Sequence, residues 1–408
     1  MLERWNSPFA WSIPYNLFIK HFTELNSIYW AQVPAANTIE KKAIEFLKSD
    51  YEDPTKYFLI PDEDDRRIAK TYKEWKQNYR EFSNYMRLSM LMLLSSCLET
   101  YLRTIVSLAI ESKPGCIIGC ADAIDGVFLL KTKDGYGEID NHKYQFGEVI
   151  ESICKGDWYS RIFNYEKYFG KNPLSDKDIK ELDEIRQKRN LVGHYFGRIK
   201  QKYEAPLSLI QSPAERLSHK KLMDYFNVVC SSIKQIDKHL HNDFIGSYDI
   251  CKYYYLGIQN GTIQGNTVGI QAKCLQKLMG SAGMPSAGTA YYYNLVSYMA
   301  TESKDDEYRY VRKTCIIMIN RKLREKDRMI IRNGKRIPFT SYHFNLFCNV
   351  YCIHNDTKYC KKNNTQYQMK YFYSEKLIDF ISSKICENPE IVEELLKQVK
   401  KTKSQPSD

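Results

Sequence analysis

The sequence predicts a mainly α-helical protein with a central helical bundle, an N-terminal accessory segment and a C-terminal α+β domain. Apolar residues recur at three- and four-residue steps between residues 82 and 108 and again between 222 and 240, as they do on one face of an amphipathic helix. With 408 residues, the chain is long enough for two or three domains. We expect the domains to cover residues 1–70, 71–245 and 246–408.

Residues 1–70 are rich in aromatic side chains and are punctuated by prolines, among them Pro14, Pro34, Pro54 and Pro61. Asn37-Thr-Ile-Glu40 has the pattern of a capping box, so we expect a short helix to begin there and end near Leu47. The acidic run 62–65 then closes the region. This composition predicts an accessory segment that packs against the next domain.

The central region, residues 71–245, predicts four or five helices. A long first helix should end at Lys113-Pro-Gly115. The less regular stretch 116–142, with its glycines and the apolar run 127–130, predicts an inserted loop or a short hairpin, and helical spacing returns at 146–154 and 159–168. Ser175 is a suitable N-cap for the next helix, and apolar spacing predicts another helix from Ser218 to about Leu240.

After residue 246, glycines fall at every fourth position from 257 to 269, and we expect them in turns or tight backbone contacts. No Gly-Lys-Ser or Gly-Lys-Thr follows, which counts against a nucleotide-binding enzyme of the common phosphate-loop type. Residues 291–298 and 314–320 fit either strands or buried helix. Arg332-Asn-Gly-Lys335 predicts a hairpin turn, and residues 390–401 predict a terminal helix.

Positive charge is concentrated between residues 308 and 362, which contain 14 Lys or Arg and three acids. Such an excess attracts polyanions by counterion release, although a solvated helix face would look the same. Cations alternate with aromatic residues there, a combination that suits stacking on single-stranded RNA. We therefore expect RNA-binding residues in this segment, namely Arg309, Arg312, Lys313, Arg321 and Arg324.

A short motif, Arg189-Asn190-Leu-Val-Gly-His194, lies near the end of the helix predicted to start after Ser175. With Glu99-Thr-Tyr-Leu-Arg103 on the first long helix, it resembles the signature of the HEPN superfamily, whose domains are four- or five-helix bundles. Five residues turn a helix by about 500°, so Arg189 and His194 lie about 140° apart. Gly193 is the residue at which the helix could distort to bring them together.

The HEPN resemblance implies a metal-independent endoribonuclease without a cofactor, related to toxins and antiphage defence effectors. Arg189, Asn190 and His194 would be catalytic, and the composite site would form in a homodimer through the helical bundle. Histidine suits the proton transfers and arginine the phosphate, so attack by the ribose 2′-hydroxyl would leave a 2′,3′-cyclic phosphate. Arg186 and Arg198 would add RNA contacts, and a regulatory protein or phage-derived trigger would control cleavage.

Two other interpretations of the motif stay open. Arg189 and His194 are also a suitable pair of cations for the C-terminal end of a helix. The second interpretation is a non-catalytic binding or regulatory module, in which the bundle dimerises and the basic C-terminal segment binds nucleic acid or a partner protein.

The remaining candidate site is a Cys-x3-Cys-x-His-x5-Cys series at Cys348, Cys352, His354 and Cys360. The series has donors that zinc accepts, but aromatic neighbours favour a packed core, and we expect no metal. Twelve cysteines without a regular framework predict free thiols in a cytoplasmic protein. The apolar stretch 88–110 contains Glu99 and Arg103, which argues against a membrane span.

Overall fold

The structure, a computed structural model, describes residues 3–58, 67–118, 125–131, 146–195, 197–198 and 214–300. In the C-terminal part it describes residues 319–320, 322–324, 326, 328–332, 335–340, 343 and 375–403. The described chain is mainly helical, with one small two-stranded sheet near the C-terminus. The coarse fold class is therefore as predicted.

The first helix, α1 (Ile13–Phe46), is far longer than the sequence predicts. The capping box at 37–40 lies inside it, so the predicted helix start is wrong. Pro34 also lies inside α1, and Thr38 donates its hydroxyl hydrogen to the Pro34 carbonyl (2.8 Å) instead of capping a new helix. Tertiary packing explains the continuity, because Ala43 is buried against Tyr72 of the next helix.

Six helices follow in the central region. They are α2 (Tyr72–Ser112), α3 (Gly126–Lys131), α4 (Phe146–Cys154), α5 (Trp158–Phe169), α6 (Asp176–Tyr195) and α7 (His219–Leu240). The predicted N-cap Ser175 is confirmed, since it accepts from the Asp178 amide (3.2 Å). The helix predicted from Ser218 to about Leu240 is confirmed as α7, and Ser218 caps it by accepting from the Lys221 amide (3.1 Å). The predicted end of α2 before Lys113 is also confirmed.

The stretch 116–142, predicted as an inserted loop or a short hairpin, contains the helix α3, so the prediction is wrong for the apolar run 127–130. Residues 119–124 and 132–142 lie outside the described residues. Val127 and Leu130 are buried in the main core. Four consecutive apolar residues fit a buried strand and a buried helix equally well, so only packing decides between them.

A π-helical turn (His241–Ile245) joins α7 to three further helices, α8 (Tyr248–Gln259), α9 (Val268–Ser281) and α10 (Thr289–Ala300). One buried core extends from the N-terminal aromatic residues through α10. The α+β character expected after residue 246 is therefore absent from the described residues 246–300. The stretch 291–298 is helix, one of its two predicted alternatives.

The glycine series is only partly in turns. Gly257 and Gly269 lie inside α8 and α9, whereas Gly261 (φ 73°) and Gly265 (φ 125°) adopt conformations that favour glycine.

The C-terminal part has two antiparallel strands, β1 (Ile330–Arg332) and β2 (Lys335–Ile337), and two helices, α11 (Glu375–Glu387) and α12 (Ile391–Lys403). Ile330 pairs with Ile337 and Arg332 with Lys335, so two residues connect the strands. This register confirms the hairpin predicted from Asn333-Gly334. The predicted terminal helix at 390–401 is confirmed as α12.

The residues before α1 are fixed to the bundle by buried polar contacts. Arg4 is 4% exposed and donates to Asp125, the carbonyl of Ile245, and both the carbonyl and hydroxyl of Ser112 at 2.7–3.1 Å. The Ser12 amide and hydroxyl both donate to the fully buried Asp237. The N-terminal segment therefore belongs to the core of the bundle.

Among the described helices, α2 has the length and apolar composition that could cross a membrane, and more than half of its most apolar window is buried inside the protein. The central helix of a bundle has the same composition. No clear transmembrane helix is therefore present in the described residues, and a cytoplasmic location stays a prediction.

Candidate functional site

Three helices of the bundle bring charged side chains together at Glu99, near the middle of α2. Arg189 of α6 donates through Nη2 to Glu99 Oε2 (3.2 Å), and Arg161 Nη2 of α5 lies 3.9 Å from Glu99 Oε1. We call Glu99, Arg161, Arg189 and Asn190 the Glu99 site. Its centre is one carboxylate between two guanidinium groups.

Arg161 is the most deeply buried cation of this site, at 5% exposed. Asp157 caps the N-terminus of α5, and the Arg161 Nε donates to the Gly156 carbonyl (3.1 Å) one turn back. Its guanidinium also lies 5.1 Å from the Trp158 ring centre. Burial lowers the pKa of Arg161, and the negative charge of Glu99 partly opposes that shift.

The motif residues separate within one chain. Arg189 donates to the Asn190 side-chain oxygen (3.0 Å) and points towards Glu99, whereas His194 is exposed on the last turn of α6. The helix stays regular through Gly193, so the expected distortion is not found. No hydrogen bond joins Arg189 to His194 in the described part of the chain.

One buried atom of Arg189, its Nε, has no hydrogen-bond acceptor among the described residues. A buried donor without an acceptor costs free energy. An additional anionic group at this position would satisfy it, and arginine is the side chain best suited to bind phosphate oxygens.

Charge around the Glu99 site is positive overall. Beside it, Glu151 of α4 forms ion pairs with Arg103 (2.6 Å) and Lys155 (2.5 Å), and these contacts lower the pKa of Glu151 despite its partial burial. Together the two groups have four cations and two carboxylates. This balance fits an anion better than a metal cation.

Arg186, expected to bind RNA, is occupied within the protein. It donates to both oxygens of Asp183 (2.7 and 3.2 Å), which also accept from the Trp158 amide and from Gln187. Burial alone would raise the pKa of Asp183, but these hydrogen bonds lower it. Asp183 therefore links α6 to the start of α5, and Arg186 is engaged by that same carboxylate.

The other expected RNA-binding residues are placed unevenly. Arg198 is half-buried and its backbone pairs with Ala214 in an isolated bridge. Arg324 is exposed near the hairpin. The remaining four, Arg309, Arg312, Lys313 and Arg321, lie outside the described residues, and their RNA binding stays a prediction.

The possible zinc ligands Cys348, Cys352, His354 and Cys360 also lie outside the described residues. Nearby His343 is described and is 3% exposed, and its Nδ1 accepts from the Thr340 amide (3.0 Å). Among the described residues, no group of three or more His, Cys, Asp or Glu side chains could hold a metal ion.

Arg161 was not predicted as a site residue, although its position in the sequence of α5 pointed to it. Residues 158, 162 and 165 form the apolar face of α5, and Arg161 lies next to them in helical spacing. A cation on a buried helix face needs a counter-charge, and Glu99 is the carboxylate that it approaches.

Comparison with known families places a nuclease-like domain elsewhere in the chain. A family described as the EC042_2821-like restriction endonuclease-like domain matches residues 303–397, less than a quarter of the chain. No curated protein and no solved structure matches. The match indicates a nuclease, of a type associated with DNA.

This match corrects the family expected from residues 189–194. The resemblance to the HEPN superfamily is wrong, because the family model that matches is a restriction endonuclease-like domain at 303–397. The six-residue motif had too little information to identify a family. We identified no sequence motif that predicts a restriction endonuclease-like domain. The excess of cations between residues 308 and 362 was the one related observation.

Proposed function

We propose that this chain is a nuclease that hydrolyses phosphodiester bonds in DNA, with the catalytic domain in residues 303–397. The observation that carries this proposal is the restriction endonuclease-like match, which overlaps the most basic stretch of the chain. Excess positive charge concentrates a polyanionic substrate at the domain that cuts it.

In the proposed reaction, a water oxygen attacks phosphorus, the bond to the leaving oxygen breaks, and that oxygen gains a proton. Cationic side chains would stabilise the negative charge that builds on the phosphate oxygens. Divalent metals promote this chemistry in many nucleases. The described residues do not form such a metal site, so we assign no residue to a metal.

A second candidate function is cleavage of RNA at the bundle, and the Glu99 site favours it. The site has two arginines beside one carboxylate, and among the described residues the buried Arg189 Nε lacks an acceptor. Arg189 and His194 diverge within one chain, so this function requires a homodimer that combines Arg189 of one protomer with the partner's histidine. Roles as a toxin or antiphage effector, and control by a trigger, rest on this second candidate.

The first experiment incubates the purified full chain with supercoiled plasmid, linear duplex DNA and a mixed RNA pool, each with Mg²⁺ and with EDTA. Arg189→Ala and His194→Ala are assayed beside the wild type. DNA cleavage by all three proteins supports a catalytic centre in 303–397. If the wild type cuts neither DNA nor RNA under any condition, the nuclease proposal is wrong.

RNA cleavage that both variants lose would instead support the second candidate. Mixing the two inactive variants then tests the dimer, because a heterodimer has one site with both an intact arginine and an intact histidine. Recovery of activity on mixing supports a shared site. Wild-type rates of RNA cleavage in His194→Ala would rule out its catalytic role.

A further inference from the structure

A short ribbon and the turn before it present five cations to solvent in the C-terminal part. Arg324, Lys326 and Arg328 precede β1, and Lys335 and Arg336 lie on β2. All five are exposed, and none forms an ion pair within the described part of the chain. We call these five residues the hairpin cations.

The hairpin cations stand on a well-fixed base. Ile330 of β1 is fully buried, and the Ile331 amide donates to the Pro389 carbonyl (2.9 Å) at the start of α12. Phe339, two residues after β2, is 2% exposed, and its amide and carbonyl both bond the side chain of Asn320 (2.9 and 2.6 Å). These contacts fix β1 and the residues after β2 to the rest of the C-terminal part, whereas Lys335 and Arg336 of β2 are exposed.

The strand pattern distributes the charge over the ribbon. Successive residues of a strand point to opposite faces, so Lys335 and Arg336 extend to different sides of β2. Arg328 is separated from the first residue of β1 by one position. Before β1, the Arg328 amide donates to the Leu323 carbonyl (2.7 Å), and the Lys326 amide donates to the Lys322 carbonyl (3.2 Å). These backbone hydrogen bonds hold the remaining cations close to the strand.

Protection of a sheet edge explains only part of this arrangement. Lysine on an exposed edge strand discourages pairing with another chain, which accounts for Lys335. It does not account for Arg324, Lys326 and Arg328, which lie outside the strands. Within the described residues these five cations have no carboxylate partner, so binding a polyanion would displace only water and counterions from them. They therefore form a surface suited to a polyanion.

We propose that the hairpin cations bind the phosphates of double-stranded DNA. The major groove of B-form DNA is wide enough for a two-stranded ribbon, and cations on both sides of β2 can contact the phosphates that border it. The major groove of double-stranded RNA is deep and narrow and does not admit such an element. This inference rests on the proposed function, because it names how the nuclease holds its substrate.

The test measures binding of the full chain to a labelled duplex DNA of random sequence by fluorescence anisotropy at several NaCl concentrations. For the double variant Lys335→Gln/Arg336→Gln, we expect the slope of log K against log salt to lose about one unit per removed phosphate contact. The conservative double variant Lys335→Arg/Arg336→Lys should keep the wild-type slope.

The matched control is Lys273→Gln/Lys277→Gln, which removes two exposed, unpaired lysines from α9. It has the same net charge as the hairpin double variant and should bind with the wild-type slope. An equal loss of slope in both double variants would overturn the proposal, because net charge alone would then explain binding. An unchanged slope in the hairpin variant would overturn it as well.

Comparing DNA binding with DNA cleavage tests this inference separately from the proposed function. DNA cleavage with an unchanged salt slope would leave the nuclease intact and refute the hairpin surface. Loss of binding to single-stranded RNA, with duplex DNA binding unaffected, would overturn the choice of DNA. Circular dichroism of the variants should match the wild type, because all substituted side chains are exposed.

Discussion

Acidification should destabilise this protein through one buried histidine, His239 of α7. Its ring is 6% exposed, its Nδ1 is hydrogen-bonded to the Tyr165 hydroxyl (2.8 Å), and its Nε2 lies 3.5 Å from an Asp243 oxygen. Burial lowers the pKa of His239 from 6.5 to about 4. The positive charge of Lys171 adds to this shift, and Asp243 opposes it.

The sign and size of the effect follow from linkage. Between pH 6.5 and pH 4 the unfolded chain binds a proton at His239 that the folded protein excludes, so the free energy of unfolding falls as pH falls. From these two pKa values, His239 contributes a loss of about 2 kcal/mol between pH 7.5 and pH 5. Buried Asp237 and Asp249 act in the opposite direction, because burial raises their pKa and their stabilisation is lost as pH rises.

Urea unfolding at pH 7.5 and pH 5 measures this loss in the wild type and in His239→Gln, which cannot titrate. Subtracting the two pH dependences removes the contributions of the buried aspartates. We expect the wild type to lose about 2 kcal/mol more than the variant. Identical pH dependences, or a His239 ring signal in NMR that titrates near pH 6.5, would refute the depressed pKa.

Two further predictions concern buried charge. Arg4→Ala removes the ion pair with Asp125 and takes a donor from several buried oxygens, so we expect a loss of about 3–5 kcal/mol in urea unfolding. A loss below about 1 kcal/mol would contradict the stabilising role of these Arg4 contacts. Glu99→Ala removes the carboxylate nearest to the buried Arg161, and because Glu99 is itself one-third exposed we expect a smaller loss of about 1–2 kcal/mol. The control Glu166→Ala, an exposed residue on α5, should stay within about 0.5 kcal/mol of the wild type.

Local chemistry made some elements predictable. Ser175 and Ser218 begin helices because their hydroxyls satisfy amides that no helical carbonyl can reach. Asn333-Gly334 predicts the hairpin because the two residues of such a loop need conformations that asparagine and glycine tolerate. In each case the local structure depends on residues that are close together in the sequence.

Elements that depend on distant contacts were not predictable. The capping pattern at Asn37 is real as a sequence, but burial of Ala43 against α2 continues α1 through it. The apolar run at Val127 has no period that separates strand from helix. Arg161 looked like an ordinary cation on α5, because its carboxylate partner lies 62 residues earlier in the chain.

The motif at 189–194 shows that function, like these elements, could not be predicted from a few neighbouring residues. Helical geometry correctly separated Arg189 from His194, and the structure keeps that separation because α6 is regular through Gly193. The resemblance nevertheless assigned a family from residues whose contacts were unknown. The restriction endonuclease-like match uses information spread over 303–397, which no single motif contains.

The Glu99 site and the hairpin cations differ in whether their cations already pair with carboxylates. Under the proposed function, this difference predicts which of the two surfaces binds nucleic acid first. At the Glu99 site, a phosphate must compete with a carboxylate that already accepts from Arg189, and Arg161 must stay buried while it does so. At the hairpin cations, a phosphate displaces only water and salt ions. Initial binding should therefore depend on the hairpin and be steeply salt-dependent, whereas any phosphate at the Glu99 site binds only with rearrangement of Glu99. A duplex-binding slope that falls with Lys335→Gln/Arg336→Gln but not with Arg189→Ala is the result that this order requires.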